Sequence, residues 1–272
     1  PHVFVDTLFI EGDSKQIVIQ LKKEAHPNSS ILTELAQERE KWRIDTIMID
    51  PGHGGKDPGC VGGTSVFEKN IALAIAKAAQ KEITQRIDVQ VLLTRENDVF
   101  VPLRMRAEKA NQQGGKLFIS IHVDANRVKS LHGHTIYFMG PAKTDDARQA
   151  AQYENSVVQL EDSQNAYEGL SDAAFILAAN AQNSYNKESQ DLASMIDREI
   201  QTICDSHSYG VRQAGFYVLY GASMPNILIE TGFMTNASDR QKLNSSSYQK
   251  SLARAICNAV IKFKERYESL TF

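Results

Sequence analysis

At 272 residues, with 42% hydrophobic and 23% charged residues and a formal net charge of −3, the chain has apolar material for one sizeable core, or a core and a small appendage. Its near-neutral balance, without a long lysine or arginine run, excludes the electrostatic footprint of a nucleic-acid or acidic-membrane binder. The longest mainly apolar stretches, such as "IALAIAKAA", fall far short of the ~20 residues of a membrane span, so none is expected. The three cysteines, Cys60, Cys204 and Cys257, are odd in number and far apart, which supports neither a disulfide framework nor a cysteine zinc cluster. The chain begins at Pro1 without a charged-then-apolar leader, so an export signal is expected to have been removed or never included.

In chain order, "VFVDTLFI" and "QIVIQLKK" alternate around the turn "EGDS" and predict a β-hairpin. The polar "HPNSSILTELAQEREKW" predicts a linker with one short helix. Residues 1–40 are thus expected to be a hairpin remnant and linker, and 41–272 the main domain. From Trp42 onward strands and helices alternate. The candidate strands are "DTIMID", "VQVLLTR", "KLFISIHV", "HTIYFMG", "FYVL" and "NILIETG", several apolar at consecutive positions, as strands covered on both faces are. Helical spacing joins Ile71, Ile75, Ala79 and Ile83, then Leu192, Ile196 and Ile203, then Leu252, Ile256, Val260 and Phe263. This order predicts an α/β fold with a mostly parallel sheet of about six strands, whose ligand site lies beyond the carboxyl ends of the strands. Residues 141–186 break the rhythm as a long, polar, partly helical insertion.

The chemistry-bearing candidates lie at strand ends. His53 sits in the Gly-rich bend of "IDPGHGGKDPG" and His122 ends "FISIHV"; either could be an ordinary hydrogen-bonded imidazole, but two could also face one another. Glu68 in "SVFEKNIALAIAKA" fits a capping box with Ser65 as N-cap, and as a carboxylate at a helix start it also projects toward the same sheet edge. Two imidazoles and a carboxylate make the ligand set of a catalytic zinc site whose fourth position is left to water. Glu230 follows three apolar residues in "NILIETGF", where a buried carboxylate needs a partner or a role such as general base. Arg95 and Arg106 read as buried structural arginines paired with carboxylates such as Asp98 or Glu108. Cys60 is not needed as a ligand, and His132 and His134 read as ordinary polar residues.

Taken together, "IDPGHGGKDPG", the glutamate of "VFEKNIALAIA", "LLTREND" with "PLRMRAEKAN", "FISIHVDAN" and "PNILIETGFMTNASD" resemble the successive signatures of the zinc-dependent N-acetylmuramoyl-L-alanine amidases, the bacterial cell-wall hydrolase family called amidase 3. The resemblance implies a twisted mixed sheet flanked by helices on both faces. It implies Zn2+ held by His53, Glu68 and His122, with Glu230 as the catalytic glutamate. The implied substrate is peptidoglycan, cut at the amide between N-acetylmuramic acid and L-alanine of the stem peptide, and the implied location is the periplasm or cell envelope. Family members that act at cell division carry a helical insertion at this point, with a glutamate in an "EN" pair that reaches the zinc. Here the pair is Glu154 and Asn155, which implies autoinhibition relieved by a partner resembling an inactive LytM-type endopeptidase. In the bland account Glu154 turns out to water from a short surface helix. The competing functions are a zinc peptidase or deacetylase acting on other cell-wall amides, and a non-catalytic peptidoglycan-binding module.

Overall fold

The alternating residues at the start of the chain form an antiparallel pair, β1 (Val3–Glu11) with β2 (Gln16–Lys23). The computed structural model describes residues 3–11, 16–23, 43–63, 65–162 and 185–270. The chain divides after Arg43 into two compact units, the hairpin belonging to the first and Ile44–Leu270 forming the second. The helix expected in the linker and residues 163–184 of the insertion lie outside the described residues.

In the second unit β3 (Thr46–Pro51) leads through a loop to a small antiparallel pair, β4 (Val61–Gly62) and β5 (Val66–Phe67). There follow α1 (Glu68–Arg86), β6 (Gln90–Leu93), α2 (Leu103–Gln112), β7 (Leu117–Asp124) and β8 (His134–Met139). The insertion supplies α3 (Asp145–Asn155) and a 3-10 turn, Ser156–Leu160. The chain ends with α4 (Asn186–Cys204), β9 (Ser208–Ala214), β10 (Asn226–Phe233), α5 (Ala237–Leu243) and α6 (Ser246–Leu270). Among the described residues no helix is long and apolar enough to cross a membrane.

The main sheet has six strands in the order β6-β3-β7-β10-β8-β9. β6, β3, β7 and β10 run parallel, β8 pairs antiparallel with β10, and β9 runs parallel to β8. The strands are apolar at consecutive positions because both faces are covered. Ile47, Ile49, Ile119, Ile121, Ile227 and Ile229 join one core with the apolar stripes of α1, α4 and α6. Their neighbours Met48, Phe118, Leu228 and Tyr137 point the other way and join a second core with Leu103, Ala107 and Ala110 of α2 and Ala147, Ala150 and Ala151 of α3. The expected α/β sheet with helices on both faces is therefore what forms.

One expected strand is wrong. The run "FYVL" is not extended: Tyr217–Leu219 is a 3-10 turn whose Val218 and Leu219 are buried. The sixth strand is β9, "SYGVRQA", a mostly half-buried edge strand whose polar sequence hides it from an apolar-run criterion. A short buried apolar run satisfies a turn as well as a strand.

Candidate metal centre

β3 stops at Pro51 and the backbone turns through a loop in which His53 (φ 59°), Gly54 (φ 127°), Gly55 (φ 59°) and Gly59 (φ 64°) all have positive φ. A left-handed conformation costs a non-glycine residue about 1–2 kcal/mol, so something must hold His53 there. Asp57 accepts from His53 Nδ1 at 2.7 Å, which fixes the ring and leaves Nε2 facing inward. Arg106 Nη2 donates to the His53 carbonyl at 2.9 Å, and Arg95 Nη2 donates to the Gly52 carbonyl at 2.7 Å. Both arginines also donate to the Pro51 carbonyl. Gly59 has no substitute: a Cβ there would lie 2.6 Å from Glu68 Oε2 and 2.7 Å from His53 Cδ2.

The two arginines are buried and structural, as expected, but with other partners. Arg106 pairs with Asp50 at 2.9 Å, and Arg95 is spent on carbonyl oxygens. Asp98 instead pairs with Lys69, and Glu108 with Arg104 one helical turn away. Nearness in sequence misdirected the pairing; the fold supplies a fully buried carboxylate at the end of β3, where an unpaired guanidinium would otherwise sit.

Glu68 is the first residue of α1, and the expected capping box does not form: the N-cap is Phe67, without a side-chain cap bond, because Val66–Phe67 is drawn into β5. The Glu68 carboxylate turns inward and accepts from Cys60 N at 2.8 Å and Val123 N at 2.7 Å. Its Oε1 lies 3.0 Å from His53 Nε2 and 3.2 Å from His122 Nδ1. The fourth member comes from the insertion. Thr144 caps α3 by accepting from Ala147 N, the alanine face packs on the sheet, and Glu154 at the far end is only 4% exposed. It does not turn out to water. Its Oε2 lies 3.2 Å from His53 Nε2 and 3.0 Å from His122 Nδ1, and the two facing imidazole nitrogens are 3.2 Å apart.

The donor atoms of His53, Glu68, His122 and Glu154 thus all lie within 4.8 Å of one another, five of the six separations being 3.0–3.2 Å. Bonds of about 2.0–2.2 Å to a tetrahedral metal imply donor separations of roughly 3.3–3.6 Å, close to this arrangement, and a set of two imidazoles and two carboxylates suits zinc. Burial alone would lower both histidine pKa values; Glu68 and Glu154 beside His53 hold it well above the ordinary value, and Glu154 holds His122 up at about 9. Burial alone would raise the two glutamates, but the histidines keep Glu68 and Glu154 below the usual range. The two imidazoles and the two carboxylates thus stabilise one another's charged forms across the cluster.

Glu230 stands level with His122 on the adjacent parallel strand, so both project from the same sheet face. It is 2% exposed and its Oε2 has no hydrogen-bond partner among the described residues. Burial first, then the negative charges of Asp124, Glu154 and Glu68, push its pKa well up. Cys60 makes a thiol contact with the Tyr153 hydroxyl at 3.4 Å. His134 is buried against Ser206 and Asp197, and His132 lies by the Ser130 carbonyl. Sequence reasoning missed Asp57, although a carboxylate four residues after a loop histidine was a usable signal, and Asp50, whose apolar-strand setting hid it.

The chain matches the amidase 3 family, described as N-acetylmuramoyl-L-alanine amidase, over residues 47–262. It is 33% identical to N-acetylmuramoyl-L-alanine amidase AmiA of Salmonella typhimurium over 219 residues, covering 80% of this chain and 75% of that protein. It is 30% identical to AmiC of Neisseria meningitidis over 228 residues, covering 81% of this chain and 53% of the relative. The chain therefore spans about half the length of the AmiC relatives it matches. Among solved structures, an N-acetylmuramoyl-L-alanine amidase from Clostridium difficile 630 aligns with a TM-score of 0.63 at 27% identity, covering 82% of this chain and 98% of that one.

Proposed function

Because the chain belongs to the amidase 3 family of N-acetylmuramoyl-L-alanine amidases, we propose that it hydrolyses the amide between the lactyl group of N-acetylmuramic acid and L-alanine of the peptidoglycan stem. In this reading His53, Glu68 and His122 hold a catalytic zinc. The observation that most supports it is the gathering of two imidazole nitrogens and two carboxylate oxygens, mostly 3.0–3.2 Å apart, at the carboxyl ends of parallel strands. Bound there, zinc supplies a Lewis acid that makes water acidic enough to attack near neutral pH and polarises the scissile carbonyl. Asp57 fixes the His53 tautomer, and the Cys60 and Val123 amides fix the Glu68 carboxylate, so the ligands need no reorganisation. Glu230, beside His122, takes the proton from the attacking water and delivers it to the departing amine of L-alanine.

Glu154 occupies the position that a substrate would need. We infer that it acts as an inhibitory fourth ligand and that a protein partner, of the LytM type that the family resemblance implies, draws α3 away. The shift is then set by that partner's preference for the open form. Peptidoglycan as substrate places the protein in the periplasm or cell envelope.

The test is hydrolysis of muropeptides beside metal analysis. We expect stoichiometric zinc, low activity in the unmodified chain, and release of L-alanyl peptide with intact glycan by Glu154→Ala. Adding Glu230→Gln to that variant retains zinc and abolishes nearly all release, whereas His53→Ala loses zinc as well. Cleavage inside the stem peptide would favour a peptidase instead. Glu230→Gln activity within a few-fold would remove Glu230 as the base, and full activity of the unmodified chain, with no gain from Glu154→Ala, would remove the inhibition alone.

A further inference from the structure

A second cavity adjoins the metal cluster on the side away from β3, and none of the chemistry above uses it. Its volume is about 530 Å3, within the roughly 300–1,000 Å3 of pockets that enclose small ligands. Thr135 and Tyr137 of β8 form its floor. Thr135 stands level with Glu230 in the antiparallel register, and Glu230 stands level with His122, so the cavity begins about one strand spacing, ~5 Å, from the proposed base. Gln149, Ala150 and Tyr153 of α3 line one side of it, on the helix that carries Glu154.

The polar groups around this cavity point to its ligand. Arg212 of β9 pairs in register with Tyr137 and so projects from the same face. Its Nε donates to the Tyr209 carbonyl at 3.2 Å and its Cζ lies 5.6 Å from the centre of the Tyr209 ring. These contacts orient the guanidinium, and Arg212, which lines this cavity and a smaller neighbouring one beside the start of α3, makes no ion pair with any described residue. Arg127 and Lys129 are exposed at the rim and likewise make no ion pair among the described residues. Two acids also line the space, Asp124, which accepts from Ala125 N at 2.7 Å, and Asp146 of α3. A half-buried guanidinium held by an aromatic ring, without a carboxylate of its own, is suited to a bidentate carboxylate from outside.

We propose that this cavity is the stem-peptide subsite and that Arg212 grips a carboxylate of the peptide that leaves; this rests on the amidase reading above. The stem peptide carries a free α-carboxylate on the glutamate that follows L-alanine, one residue from the scissile amide. The saccharides beyond the lactyl group carry no comparable charge, so the unpaired cations favour the peptide side of the substrate over the glycan side. The leaving amine is then held beside Glu230 while its carboxylate is anchored at Arg212. With α3 docked, its side chains narrow the cavity, and removal of α3 joins cavity and metal cluster into one groove.

The experiment compares muropeptides whose second residue is the free α-acid or its α-amide, using Glu154→Ala alone and combined with Arg212→Met or Arg212→Lys. Binding of the free L-alanyl-glutamyl peptide is measured by calorimetry in the same chains and in the unmodified one. We expect the acid to be preferred, and Arg212→Met to lower kcat/KM on the acid roughly tenfold or more, chiefly through KM, with little change on the amide. Arg212→Lys recovers part of the loss, and peptide affinity falls in parallel. Equal losses on acid and amide, peptide binding unchanged by Arg212→Met, absence of peptide binding, or binding of a muramyl disaccharide in its place would overturn the proposal. Arg212-dependent peptide binding without hydrolysis would fault the amidase reading and leave the subsite standing. Hydrolysis with an unaltered acid-to-amide ratio would do the reverse.

Discussion

Arg106 shows how a side chain outside the candidate metal cluster can set the geometry of His53, a proposed ligand. It is 1% exposed, pairs with Asp50 and also reaches the carbonyls of Val101, Pro51 and His53. Arg106→Met strands the Asp50 carboxylate with only the Thr94 and Ser120 hydroxyls, so urea denaturation is expected to show a loss of about 3–5 kcal/mol. The freed His53 carbonyl should also weaken binding of the proposed zinc, read by competition with a chelator. Arg106→Lys, which keeps the charge but lacks the fork, should recover much of the stability and less of the metal affinity. Burial alone would raise the Asp50 pKa, yet Arg106, Thr94 and Ser120 bring it below the usual carboxylate value near 3.8. Its contribution to stability is therefore complete above that value and is lost as the pH falls through the lower folded value, and Asp50→Asn should flatten the acid limb of the profile. Of these residues, His53, His122 and Glu230 were legible in the sequence because each ends or interrupts an apolar run. Asp50 was not, since its partner Arg106 lies 56 positions away and only the fold joins them.

α3 is held in place by more than its alanine face. Asn155 at its end clasps a backbone segment of the neighbouring turn, its Nδ2 donating to the Gly215 carbonyl and its Oδ1 accepting from Tyr217 N, both at 2.8 Å. Just beyond, Glu161 accepts from Leu103 N at the start of α2 at 2.8 Å. Each such bond contributes about 0.5–1.5 kcal/mol, so under the proposed inhibition Asn155→Ala should weaken docking of the helix by about 1–3 kcal/mol and raise the open population up to about a hundredfold. The expected outcome is higher basal hydrolysis at unchanged zinc content; unchanged hydrolysis would show that the clasp does not govern docking. The helix itself was legible as the helical part of the insertion, and β3, β7 and β10 from their largely apolar runs. β9 was not, because a half-buried edge strand needs few apolar residues. The start of α1 was misplaced because Ser65 and Glu68 have the spacing of a cap while the backbone between them is committed to β5.

The apolar pattern of β8 is the same whichever way the strand runs, so its reversal against β10 appears only in the assembled sheet. That reversal decides how the insertion reaches the candidate metal cluster. β8 starts beside Glu230 and carries the chain away from the cluster for 6 residues, about 20 Å. α3 must bring it back, and its 11 residues span about 16 Å. Under the proposed inhibition, closure is then a measurement of length: the helix is a ruler with its zero at Thr144 and Glu154 as the mark that must fall on the metal. Deleting exposed Gln152 would shorten the ruler by about 1.5 Å and swing Glu154 through about 100°, so hydrolysis should rise as in Glu154→Ala, whereas Gln152→Ala should leave the closed state intact. Side chains along the outer surface of α3 are free to vary under this constraint, while the number of residues between cap and carboxylate is not.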